Sequence, residues 1–263
     1  KVTCRKMQKK EEKVYSALLV IIYLAFISLG LPDTLLGSAW PQMHIELNAS
    51  LSSAGIITMI ISLGTVISSL FSDRLNIKLG TGKVTAISVL MTAVALLGFS
   101  LSHSFIILCV LAVPYGLGAG AVDAALNNYV ALHYSSKHMS WLHCFWGVGA
   151  SIGPYIIGTC MAHGLGWRGG YSVISVIQFT LTAALFITLP LWKKVENSEN
   201  NVSNENNERT QEEPQERKSK SLSEVLHIKG VIYILFAFFC YSAVEQTTTL
   251  WCASYLVLNR SID

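Results

Sequence analysis

Three carboxylates lie inside stretches that are otherwise apolar: Asp33 in LGLPDTLLG, Asp123 in GLGAGAVDAALNNYVAL and Glu245 in FCYSAVEQTTTLW. A charged side chain at the centre of a bilayer costs on the order of 3 kcal/mol on insertion scales, so three of them point to a binding or proton-handling path. Asp123 shares one narrow helical face with Gly116, Gly120 and Asn127, because steps of three or four residues return to the same side. Such a face suits a cavity in which a solute approaches the backbone at the glycines and is held by Asp123 and Asn127. The competing account is a small-residue packing seam whose Asp pairs with a neighbouring helix. Gly30 and Pro32 come just before Asp33. Proline removes a helix hydrogen bond, so a kink is expected there, and the freed backbone groups could coordinate a solute or ion. The alternative is a bend that only shapes packing, with Asp33 partly hydrated in the outer half of its span.

The last apolar stretch gathers Tyr241, Ser242, Glu245, Thr248 and Thr249 at helical spacings, with Gln246 and Trp251 beside them. Hydroxyls, an amide and aromatics together suit a polyol or sugar, whose hydroxyls need donors and acceptors. Hydrogen bonding between helices would also use them. His143 shares a face with Trp146, Gly147, Ala150 and Pro154. It could relay protons or serve as an interfacial residue.

These residues sit on elements that composition defines. With 52% hydrophobic and 13% charged residues, the 263-residue chain is too apolar for an ordinary soluble domain. Seven apolar stretches are long enough to cross a bilayer. They run from Val14 to Trp40, Leu51 to Ser72, Val84 to Leu101, Phe105 to Leu132, Trp141 to Ala162, Tyr171 to Trp192 and Val231 to Leu258. An isolated apolar segment of this length must be helical, since only a helix satisfies its own backbone in lipid. The fold class is therefore an all-α membrane protein.

All but two of the 19 Lys and Arg residues, Arg168 and Arg260, fall on one side if the spans alternate. That places the N-terminal tail and the second, fourth and sixth loops in the cytoplasm. The net charge of +3 reports this topology and not nucleic-acid affinity. Trp40, Trp141, Trp167 and Trp192 stand near span ends, where an aromatic belt would put them. Six scattered cysteines, without CxxC spacing, indicate neither a disulfide framework nor a metal site. No cofactor is expected.

The organisation follows as a tail over 1–13, a six-helix bundle over 14–192, a disordered cytoplasmic linker over 193–227 and the first helix of a second, incomplete bundle over 228–263. The linker reads NSENNVSNENNERTQEEPQERKSKS, with almost nothing apolar to bury. A lone bundle helix leaves its polar side unpaired, so the sequence is expected to be an N-terminal fragment of a longer chain.

Together these positions resemble the major facilitator superfamily. SLFSDRLNIK is similar to its loop signature after the second helix, with Ser69 where a glycine is usual; the resemblance assigns Asp73, Arg74 and Lys78 to a cytoplasmic gating motif. LPDTLLGSAWPQM, GAGAVDAALNNYV and LHCFWGVGASIGP most resemble the fucose permease branch of sugar–proton symporters. The resemblance implies a major facilitator-type six-helix bundle plus one helix of a second. It also implies that Asp33 and Asp123 serve proton coupling and sugar binding, Asn127 sugar contact, and His143 a polar position of the fifth helix. Asp123 stands where the branch can have Glu, and His143 where it can have Gln.

The expected function is secondary active transport of a small polar solute, a sugar, coupled to protons (sodium being the alternative ion) by alternating access. The protein would be a monomer at full length, multi-pass in the plasma (inner) membrane. Drug–proton antiport is the runner-up, because the glycine–proline motif of the fifth helix resembles that of drug exporters. A non-transporting membrane sensor is a third reading. An enzyme is not expected: an intramembrane aspartyl protease would need an aspartate directly after a GxG triplet, which GAGAVD lacks.

Overall fold

The computed structural model describes residues 2–209, 224 and 226–260. Every regular element in them is helical: α1 (Val2–Asp33), α2 (Leu35–Glu46), a 3-10 turn (Leu51–Ser53), α3 (Ala54–Leu79), α4 (Thr81–Leu101), α5 (Phe105–His133), α6 (Ser136–Ala162), α7 (Gly166–Arg209) and α8 (Val231–Arg260). Seven membrane-length spans result, with α1 and α2 forming the first from Tyr15 to Glu46.

The break between α1 and α2 falls at Thr34, directly after Pro32 and Asp33. Pro32 has no N–H to offer the carbonyl of Ser28, four residues back. Gln178 of α7 takes over, donating from Nε2 to that carbonyl at 2.6 Å. The same solution appears in α6, where Pro154 frees the carbonyl of Ala150 and Thr34 Oγ1 donates to it at 2.9 Å. Both proline defects are closed by polar side chains from neighbouring helices, as buried backbone requires.

Helix α1 packs on α6, α3 on α5, α4 on both α5 and α7, and α8 on α2. Small residues allow several of these approaches. A Cβ on Gly149 or Gly153 of α6 would run into the carbonyls of Ile27 and Leu31, and one on Gly120 of α5 would lie 2.5 Å from the Thr65 carbonyl. One apolar cluster, with Leu35, Trp40, Met43, Trp167 and Tyr171, fills the end of the bundle near Leu47; another, with Leu18, Ile22, Phe26, Leu126 and Trp192, fills the opposite end.

Several expectations shift. The first span extends to Glu46, so Asp33 lies close to its midpoint and not in the outer half. The aromatic belt fails for three of its four tryptophans. Trp40 and Trp167 are fully buried and Trp192 is 3% exposed, whereas Trp141 is 47% exposed. Two of the buried indoles find internal acceptors, Trp40 on the Leu51 carbonyl at 2.7 Å and Trp167 on Glu46 at 3.0 Å. Burying a large apolar ring with its N–H satisfied outweighs an interfacial position. Helix α1 already begins at Val2, within the expected tail, and α7 continues to Arg209, into the stretch assigned to the linker. Propagating a formed helix avoids the cost of nucleating one. The rest of that stretch, 210–223 and 225, lies outside the described residues, as do 261–263.

Candidate functional site

A cavity of about 600 Å³ opens between the helices, lined by residues of all eight from α1 to α8. Asp33, Asp123, Trp146, Ser242, Gln246 and Thr249 contribute its polar lining together with a stripe from α3. Both aspartates are accessible from it. The helix break aims Asp33 inward and leaves its carboxylate free of local backbone. Trp146 Nε1 donates to Oδ2 at 2.9 Å and Tyr115 Oη donates to Oδ1 at 3.3 Å. These two donors come from α6 and α5, so Asp33 ties three helices together while keeping cavity access.

Asp123 is held differently. Asn127, one turn on in α5, donates Nδ2 to its Oδ1 at 3.0 Å. His143 lies within electrostatic reach of Asp123, and its ring meets Phe26 edge-on at 6.3 Å between centroids. Neither Asn127 nor His143 lines the cavity. Gly116 and Gly120, which share the sequence face with Asp123, serve packing: Thr65 Oγ1 donates to the Gly116 carbonyl at 3.3 Å and Ser69 Oγ to that of Gly120 at 3.4 Å. The face is therefore divided, with glycines against α3 and the carboxylate toward the cavity.

On α8, Ser242, Gln246 and Thr249 line the cavity. Glu245 is half-buried and within electrostatic reach of Asp33. Tyr241 is not at the lining; it is 60% exposed, and its ring lies 6.2 Å from that of Phe238. Thr248 returns its hydroxyl to the Val244 carbonyl at 2.8 Å. The α8 helix reaches the site because Gly37 of α2 has no side chain: a Cβ there would meet the Thr249 carbonyl.

The family model for the Major Facilitator Superfamily matches residues 22–261, nearly all of the sequence. The chain belongs to that superfamily. Among curated proteins it is 21% identical to the hexuronate transporter of Bacillus subtilis over 93% of its own length and 57% of that transporter's. It is 26% identical to the transporter y4wD of Sinorhizobium fredii over 43% of this chain and 31% of the relative. It is 25% identical to synaptic vesicle glycoprotein 2B of Rattus norvegicus over 59% of this chain and 23% of that protein. The chain spans less than two thirds of the length of each of these relatives.

The family and the seven apolar spans make the molecule a multi-pass integral membrane protein with a cavity between its helices. The residues expected of its gating motif, Asp73, Arg74 and Lys78, are exposed at the end of α3, where Arg74 lies 5.9 Å from the ring of Phe71. Seven further residues contribute to the cavity or its frame. Thr58, Ser62 and Thr65 line it from α3. Their spacing of four and three on one helix face was a legible polar stripe. Tyr115 and Tyr171 sit beside glycines that masked them, and Trp146 was noted only as a neighbour of His143. Gln178, alone among VIQFT, carried its own signal as an amide within an apolar span.

Proposed function

We propose that this chain forms the N-terminal part of a secondary transporter that moves a small neutral polyol or sugar together with protons by alternating access. The observation that carries the reading is that Asp33 and Asp123, from different helices, face one cavity that also presents hydroxyl and amide groups. Its volume of about 600 Å³ falls within the range of roughly 300–1,000 Å³ usual for small-ligand sites. Protonating a carboxylate removes a charge from the region that must reorient, which lowers the cost of that step. Asp33 and Asp123 are the proton-handling groups, with Glu245 beside them. Gln246, Ser242 and Thr249 supply hydrogen bonds to the solute, while Asn127 holds Asp123 from behind and His143 stands near it outside the cavity. The fucose permease resemblance agrees with this assignment. A hexuronate, the substrate in the name of the Bacillus relative, fits this part of the site less well, because the described lining carries two acids and no basic side chain.

The lining also favours one rival. Leu29, Leu36, Ile61, Leu96 and Phe99 give it apolar walls, and such walls with two carboxylates suit export of a lipophilic cation. In this reading, as in the first, the N-terminus and basic loops face the cytoplasm of a plasma-membrane protein that works as a monomer.

Full-length protein in proteoliposomes with an imposed pH gradient tests the proposal. Labelled neutral sugars should accumulate, and Asp123→Asn should abolish gradient-driven accumulation while sugar exchange persists. Undiminished accumulation by that variant removes Asp123 from proton coupling. Proton-driven movement of a cationic dye, with no sugar flux, replaces the proposal with export.

A further inference from the structure

A second cavity, of about 420 Å³, lies at the basic end of the bundle, between the end of α3, the start of α4 and α7. It contains no part of the solute site. Lys78, Lys83 and Lys193 line it, and no acidic residue does. None of the three ammonium groups is in an ion pair among the described residues.

Backbone polarity adds to this charge. Gly80, at φ +80°, turns the chain from α3 into α4. The first helical bond of α4 runs from the Val84 N–H to the Gly80 carbonyl at 3.2 Å. The amides of residues 81–83 therefore precede the helix's own bonding and carry the positive end of its dipole. Such a terminus attracts anions.

The independent observation is Trp192. It lines the cavity yet is 3% exposed, and its indole N–H has no hydrogen-bond partner. A buried donor left without a partner costs about 1–3 kcal/mol. The ring packs on the first turn of α4: a Cβ on Gly82 would lie 2.6 Å from Trp192 Cγ, 2.9 Å from its Cβ and 3.0 Å from Cδ1, so only glycine leaves room for the ring there. Asn76 adds a reversible group, because its Oδ1 is buried without a partner and its Nδ2 is 3.5 Å from Ser72 Oγ. Turning the amide over would let Oδ1 accept from Ser72 and present N–H groups to the cavity.

We infer that this cavity binds a phosphate-bearing anion, and that its occupant is the headgroup of an anionic phospholipid. Lysines, helix-terminal amides and an indole N–H form a donor set without acceptors, which is the chemistry of a phosphate diester. The site lies at the ends of spans, where a headgroup would sit, and Ile77, Leu79 and Leu189 line it as apolar neighbours for acyl chains.

The test uses full-length protein in a non-ionic detergent. Binding of phosphatidylglycerol, phosphatidylcholine and inorganic phosphate is followed by native mass spectrometry and by melting temperature. Phosphatidylglycerol should bind and raise the melting temperature, and phosphatidylcholine should do neither. Lys83→Gln with Lys193→Gln should weaken binding by about fivefold per lysine removed. Trp192→Phe, which keeps an aromatic ring and removes the donor, should weaken binding severalfold, while the lipid-free protein, relieved of an unpaired buried donor, melts no lower. Lys137→Gln, on the same side but outside the cavity, should bind as the unmodified protein does. Equal binding of the two lipids, or of the double lysine variant and the unmodified protein, overturns the inference. Unaltered binding by Trp192→Phe reduces the site to a generic basic surface and also overturns it. Inorganic phosphate giving the same protection as the lipid, and competing with it, rejects the lipid as occupant.

Discussion

Gln178 closes on Ser28 with both halves of its amide: Nε2 donates to the Ser28 carbonyl at 2.6 Å, and Ser28 Oγ donates to Oε1 at 2.5 Å. Both residues are buried, and they join α7 to α1 five residues before Asp33. Pro32 creates the need for this pair by leaving the Ser28 carbonyl unbonded, and the pair in turn holds the segment that aims Asp33 at the cavity.

Gln178→Leu should therefore destabilise the protein by about 1–3 kcal/mol, the cost of stranding buried polar groups. In a Pro32→Ala background the helix can bond the Ser28 carbonyl itself, so the same substitution should cost less. A double-mutant cycle on thermal unfolding in detergent measures the difference. Additive effects would show that the pair does not answer the proline.

Trp146 and Tyr115 hold the same carboxylate at different distances, 2.9 and 3.3 Å. Hydrogen bonds to charged groups contribute about 1.5–3 kcal/mol. Trp146→Phe should lower uptake by about tenfold or more at equal expression, and Tyr115→Phe should lower it less. Initial uptake rates, normalised to protein in the membrane, check the order. The reverse ranking would make Tyr115 the principal partner of Asp33.

The seam between α3 and α5 predicts a sharp contrast among glycines. A Cβ on Gly120 would meet the Thr65 backbone, whereas one on Gly147 would meet nothing within 4 Å. Gly120→Val should cost about 1–3 kcal/mol through overpacking and reduce the yield of folded protein. Gly147→Ala should leave melting temperature and yield unchanged. Fluorescence-detected size exclusion on both variants reads the outcome.

On the opposite side from the lysine cavity, Arg168 pairs with Glu46 at 2.5 Å, gives two N–H bonds to the Ser102 carbonyl and lies 4.3 Å from the ring of Trp167. Both charged side chains are about one third exposed, so solvent screening keeps the ion pair itself to roughly 0–1 kcal/mol. Glu46→Gln should thus be nearly silent. Arg168→Ala should cost more, about 1–3 kcal/mol, because it also strips the Ser102 carbonyl and the face of Trp167. Melting temperatures of the two variants at low and high salt separate these contributions, with Glu46→Gln the more salt-sensitive comparison.

The number and order of the spans were legible from residue types, because lipid compels each apolar stretch to satisfy its own backbone and so makes the helix a local decision. The break at Asp33 was legible for the same reason, since a proline's missing N–H is a property of one residue. Asp33 and Asp123 were visible through the cost of placing them among apolar neighbours. What faces what was decided by the tertiary structure alone. Tyr115, Trp146 and Gln178 reach their partners across 82, 113 and 150 residues of sequence. Those pairings depend on the rotation and height of each helix against the others. Packing at glycine contacts sets these quantities, and the hydropathy of a single span does not encode them. The burial of Trp40, Trp167 and Trp192 follows the same rule: position near a span end was written in the chain, and the side of the helix turned inward was set by its neighbours.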